Sequence, residues 1–113
     1  MDAFEIEQLL AQRQQSQKAY LEFLRVPALS AGLYVLPAGA ADLQQPHTED
    51  EVYYIVSGRA QILVAGESRS VGPGSIVYVK ADDEHHFHDI TEDLSILVFF
   101  APAEYTLAAQ DKG

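Results

Sequence analysis

"QPHTEDEVYYIVSG", residues 45–58, sets a histidine and three acids directly before a run rich in Val, Ile and Tyr, the composition of a β-strand. Glu51 stands four residues after His47, and Gln45 two before it. On a regular strand alternate residues share a face, so Gln45, His47, Glu49 and Glu51 point the same way. Facing water they are a solvated acidic stripe. Facing inward they are a set of ligand donors.

The chain on either side of this stretch has a β texture. From residue 28 onward, short runs rich in β-formers, LSAGLYVL, EVYYIVS, AQILVA, ESRSV, SIVYVKA, HHFHDI and LSILVFF, are separated by turn signals. Turns spaced at roughly eight to twelve residues predict a sandwich or barrel. Gly58 and Gly66 suit hairpin turns that need positive φ, and Pro73-Gly74 fits the centre of a type II turn. No helix-length segment separates the runs, which excludes a parallel βαβ sheet.

Ahead of this region, residues 3–24 read as a helix: Ala, Gln, Leu, Glu and Lys dominate, no Gly or Pro interrupts, and Pro27 follows. The division is therefore an N-terminal helical extension over 1–27 and one β domain over 28–113. The last stretch, APAEYTLAAQDKG, reads as a short strand or loop without chemistry of its own.

Composition limits the partners. A formal net charge of −10 over 113 residues argues against nucleic acid and an anionic membrane surface as partners, both of which reward basic patches. The absence of cysteine excludes a disulfide scaffold, a thiolate metal site and a cysteine nucleophile. The N-terminus MDAFEIEQLL lacks the basic start and apolar core of a signal peptide, and no apolar run approaches the ~20 residues of a membrane-spanning helix. The expected location is the cytoplasm. Val52, Tyr54, Val56 and Tyr78 fall on the outward strand faces, and an apolar exterior of that kind predicts a homodimer.

Four histidines, at 47, 85, 86 and 88, form two clusters. In the second, His85, Phe87 and Asp89 share one strand face, and His86 and His88 take the other. Phe87 belongs in the core, which turns His85 inward and leaves His86 and His88 to solvent.

This pattern resembles the cupin family. The first cupin motif is matched by Gly39, Gln45 where the first histidine belongs, His47, Glu51 and Gly58, with every interval correct. The second is matched by Pro73-Gly74, the strand SIVYV, His85, Phe87, and Asp89 where Asn is usual. Residues 33–101 carry the resemblance, and Gln45, Lys80 and the DDE at 82–84 depart from the family pattern. It implies an all-β, cupin-type jelly-roll β-sandwich or barrel with an N-terminal α-helix. It also implies a divalent metal held by Gln45, His47, Glu51 and His85. Two imidazoles and a carboxylate make the facial set that leaves positions open for water or substrate, and N/O donors suit Fe, Mn, Ni or Zn. Gln45 then either supplies an amide oxygen as a weak fourth donor or turns away; Glu49 is a backup ligand or a nearby base, and Glu49 or a tyrosine moves protons. Small cupins include metal-dependent dioxygenases, isomerases and lyases acting on small metabolites; the alternative is a non-catalytic small-molecule-binding or sensing cupin. With the ordinary histidine pKa of about 6.5, metal binding is expected to collapse as pH falls from about 7 to about 5.

Overall fold

The computed structural model describes residues 1–107; residues 108–113 lie outside them. Helix α1 (Ile6–Ser16) is followed by β1 (Tyr20–Val26), β2 (Leu29–Leu36), β3 (Asp50–Val64), β4 (Glu67–Val71), β5 (Ile76–Val79) and β6 (His85–Ala101). All pairing is antiparallel, in the order β1-β2-β6-β3-β4, with β5 also on β3. Strands β3 and β6 are long and cross over each other's halves. The first half of β3 lies between β5 and the second half of β6, and the second half of β3 lies between β4 and the first half of β6. The sheet thus folds over on itself into an all-β jelly-roll sandwich of the cupin type.

The fold-over has a visible cause in the chain. Inward residues of β3 are odd-numbered at first, Glu51, Tyr53 and Ile55, and even-numbered later, Ala60 and Ile62. A strand reverses parity only by inserting a residue, and the β3–β6 register shifts three times between Ile55 and Gln61. Gly58 sits there with φ 95, and a Cβ on it would lie 2.2 Å from the Asp93 carbonyl oxygen. It marks a bulge inside β3 rather than the hairpin turn expected of it. β6 makes the same switch, from His85 and Phe87 to Ile90, Leu94, Ile96, Val98 and Phe100. Asp89, at φ 48, sits at the change of parity and is exposed. It therefore does not share the face of His85 as regular alternation predicts. The inward sets of the two strands, with Leu36, Val71 and Val79, make one core.

Other turns follow the sequence. Ala65 and Gly66, both at positive φ, join β3 to β4, the signature of a type I′ hairpin. Gly74 has φ 90 and the Ser75 N–H donates to the Gly72 carbonyl at 2.9 Å, which makes Pro73-Gly74 a type II turn.

The N-terminal segment differs from expectation. The helix stops at Ser16, where Gln17 caps it in the left-handed conformation at φ 60. Tyr20–Val26 then pairs with β2 across a turn at Pro27-Ala28, so the sheet begins at Tyr20 rather than at residue 28. Tyr, Phe and Val in YLEFLRV are β-formers, and a free sheet edge outweighs the weak helical pattern around them. Helix α1 packs on β1 and β2 and buries Leu9. Among the described residues no helix is long and apolar enough to cross a membrane.

Candidate metal centre

His47 lies near the end of the long loop between β2 and β3, Glu51 is the second residue of β3, and His85 opens β6. Glu51 lies in one half of the folded sheet, between Val79 and Phe100, whereas His85 pairs with Val64 in the other. Folding the sheet over brings them together. The backbone of His47 is tied down by the Asp82 N–H, which donates to its carbonyl at 2.7 Å.

Glu51 Oε1 is 2.8 Å from His85 Nε2 and 3.5 Å from His47 Nδ1, and one donor atom from each of the three residues lies within 4.8 Å of the others. All four facing atoms, His47 Nδ1, both oxygens of Glu51 and His85 Nε2, are buried and make no hydrogen bond among the described residues; the 2.8 Å contact is an ion pair when the His85 ring is charged. Glu51 and His85 are each 2% exposed. Polar atoms stripped of water cost free energy unless something replaces it. Here the four atoms converge on one another, an arrangement that a single cation could satisfy.

The protonation pattern agrees. His85 Nδ1 lies 2.9 Å from the Asp83 carbonyl; a carbonyl only accepts, so the proton is on Nδ1 and Nε2 is left for Glu51. Burial works against the charge on Glu51, but His47 and His85 outweigh it and hold its carboxyl below the usual range. Burial also disfavours a charged His47, yet Glu104 and Glu51 prevail and push it up to about 9. For His85 burial is again opposed and overcome, by Glu51 and the Asp83 carbonyl, and its pKa is raised. The protein holds protons where a positive charge is needed.

The donor spacing suits a metal. An ion about 2.0–2.2 Å from each donor, at angles of about 90–109°, sets neighbouring donors about 2.8–3.6 Å apart. The observed 2.8 and 3.5 Å fall in that range, and two imidazoles with one carboxylate are the donor set of open metal sites.

The cupin domain family matches residues 32–100. The chain belongs to the cupin family. Among its relatives is an uncharacterised protein of Streptomyces coelicolor, 52% identical over 104 residues that cover 92% of this chain and 99% of that one. A Thermus thermophilus protein of known crystal structure superposes with a TM-score of 0.75 at 25% identity, over 91% of this cupin and 99% of that chain. The DMSP lyase DddQ of Ruegeria pomeroyi superposes with a TM-score of 0.66 at 22% identity, over 77% of this chain and 49% of its own; that likeness speaks for the fold alone.

Two expected site residues are placed otherwise in this cupin. Residues 37–49 form a loop, so strand alternation does not extend back to residue 45, and Gln45 is exposed. Its neighbour Gln44 lines the cavity instead, its amide donating to Asp42 at 2.6 Å and accepting from the Tyr53 hydroxyl at 3.1 Å. Glu49 is buried, but its carboxylate accepts from the backbone N–H groups of Tyr105 at 2.8 Å and Leu107 at 2.9 Å, and from the Thr48 hydroxyl. A carboxylate engaged in this way ties down the C-terminal segment, which argues against the proton-moving role expected of it. His86 and His88 are half-buried on the opposite face, where His88 contacts Ser68 and Asp89.

Above the cluster opens a cavity of about 260 Å³, walled by Tyr20, Tyr34, Tyr53, Phe100 and Tyr105 with Gln44 and Glu104; among the described residues no Lys or Arg lines it. The hydroxyls of Tyr34 and Tyr53 are spent on Asp42 and Gln44. That of Tyr20 is buried without a hydrogen-bond partner among the described residues. Burial, then the nearby Glu104, raise its pKa, so it stays a donor. Tyr20 reaches the cavity because residue 32 is glycine: a Cβ there would fall 2.1 Å from the tyrosine Cζ. The sequence motifs do not mark Tyr20 or Glu104. Tyr20 lies in a segment that reads as helix, and Glu104 in a tail that reads as featureless.

Proposed function

We propose that this cupin binds a divalent metal through His47, Glu51 and His85 and acts as a metal-dependent enzyme on a small metabolite. The convergence of four buried, unbonded donor atoms on one point carries the reading. Fe, Mn, Ni or Zn fits the donor set, and when bound supplies Lewis-acid polarisation of a substrate oxygen. The chain's own contribution is placement. Tyr20 offers a hydrogen bond to a substrate acceptor, Gln44 and Tyr53 brace one another at the wall, and the buried Phe100 excludes water. A cavity near the low end of ligand sites, with no basic side chain among the described residues that line it, favours a small neutral or metal-chelating molecule over a phosphorylated one. Dioxygenase, isomerase and lyase chemistry all suit such a site.

The test is turnover. Chelator-treated protein reconstituted with each of the four metals is offered a panel of small hydroxy, keto and amino compounds, with products followed by NMR. Metal-dependent conversion, lost in Glu51→Gln, is expected. Saturable binding without conversion favours the non-catalytic sensing alternative instead.

The same reading includes a homodimer. Tyr54, Ile76 and Tyr78 are 39%, 69% and 58% exposed and sit on paired strands beside Val52, in the register Val52–Tyr78 and Tyr54–Ile76. Light scattering at micromolar protein is expected to give twice the 12.5 kDa chain mass; the mass of a single chain contradicts it.

A further inference from the structure

We propose that Glu104 is a positioning residue for the metal centre: its carboxylate holds His47 by one ring nitrogen and so aims the other at Glu51 and His85. This rests on the metal reading above and adds a residue to it that no cupin motif covers.

The geometry is specific. Glu104 Oε2 lies 3.0 Å from His47 Nε2, and both side chains are 12% exposed. A carboxylate oxygen accepts, so the shared proton belongs to Nε2, and the neutral ring then presents a lone pair at Nδ1. Nδ1 is the nitrogen that faces Glu51 Oε1 at 3.5 Å and has no hydrogen bond. The two histidines are thus fixed by opposite nitrogens. His85 is held through Nδ1 by the Asp83 carbonyl close by in sequence, and His47 through Nε2 by a residue from the far end of the chain. Glu104 stands outside the group whose donors lie within 4.8 Å of one another, which makes it a partner of a ligand rather than a ligand.

The C-terminal segment is built to deliver that carboxylate. Ser30 Oγ accepts from the Glu104 N–H at 2.9 Å, Arg25 donates to the Glu104 carbonyl at 2.6 Å, and Glu49 takes the N–H groups of Tyr105 and Leu107. Each contact grips the backbone and leaves the Glu104 side chain to His47 and the Tyr105 hydroxyl. Replacing that side chain therefore leaves the anchors in place. Carboxylates that orient a ligating histidine are worth about 10–100-fold in metal affinity.

Zn(II) calorimetry on wild type, Glu104→Ala and Glu104→Gln tests the proposal, together with ¹⁵N NMR of the histidine rings in the zinc-loaded proteins. Glu104→Ala is expected to bind zinc about 10–100-fold more weakly. Glu104→Gln, whose amide oxygen still accepts from Nε2–H, is expected to recover most of that loss. In loaded wild type, zinc is expected on Nδ1 of His47 with the proton on Nε2, and Glu104→Ala is expected to lose that fixed pattern. Equal affinity in wild type and Glu104→Ala, zinc on His47 Nε2 in wild type, or no recovery in Glu104→Gln overturns the inference while leaving the metal reading intact. No zinc uptake by wild type removes both.

Discussion

Replacing His85 by alanine takes away one of three donors, whereas replacing His86, its neighbour on the opposite strand face, takes away none. His85 Nε2 lies 2.8 Å from Glu51, and His86 is half-buried with its ring beside that of His88. A metal that binds only the folded state adds about 2.7 kcal/mol when present at ~100 times its dissociation constant. For a domain of this size each kcal/mol moves the melting temperature by about 4 °C, so wild type is expected to gain about 10 °C on metal addition. His85→Ala also costs about 1–3 kcal/mol without metal, because it strips a partner from the buried Glu51 carboxylate. The decisive quantity is therefore the increment on metal addition, not the melting temperature itself. Thermal melts by circular dichroism, chelator-treated and then with excess Zn(II) or Mn(II), measure it. The increment is expected to vanish in His85→Ala and His47→Ala and to survive in His86→Ala. A full increment in His85→Ala, or its loss in His86→Ala, refutes the assignment of donors and with it the facing of β6.

The remaining predictions concern pH, residue 45 and the cavity wall. Because the metal-free protein raises His47 to about 9, protons compete with metal well above neutrality, and affinity is expected to rise about tenfold per pH unit from pH 7 toward 9; calorimetry across that range showing a plateau already at 7 contradicts it. This places the transition above the window from 7 to 5 that an ordinary histidine predicts. The same shift raises the folded-state pKa above the unfolded 6.5, so its stabilisation of metal-free protein is full below about 6.5 and is lost as pH rises through about 9, which chemical denaturation at pH 6 and 9.5 reads directly. Gln45→His is expected to leave zinc affinity unchanged, since position 45 is exposed; a tenfold gain in calorimetry shows that the loop turns that side chain inward. Gly32→Ala is expected to cost about 1–3 kcal/mol in denaturant titration, because the new methyl lands on the Tyr20 ring; a neutral effect means Tyr20 does not occupy the cavity wall.

How much of this was legible in the sequence depends on where regular alternation holds. His47, Glu51 and His85 are separated by spacing that survives folding, and Leu29–Leu36 and Glu67–Val71 are strands over the same residues as the runs that predict them. The facing of Asp89 and the role of Gly58 are not legible, because each sits at a bulge that reverses parity, and one inserted residue turns every later side chain over. The facing of Gln45 is not legible for a related reason: the two-residue period has no meaning in the loop before Asp50. Tyr20–Val26 is ambiguous locally, and its pairing with β2 decides it. Glu104 has no local signal at all. Its place beside His47 is produced by long-range contacts from Ser30, Arg25 and Glu49, which no spacing rule contains.

The central claim, one cation held by His47, Glu51 and His85, is tested most directly by anomalous diffraction at the zinc edge from crystals grown with Zn(II). One strong peak per chain is expected, about 2.0–2.2 Å from a nitrogen of each histidine and an oxygen of Glu51. A peak elsewhere, or none at the cluster with zinc in excess, contradicts it.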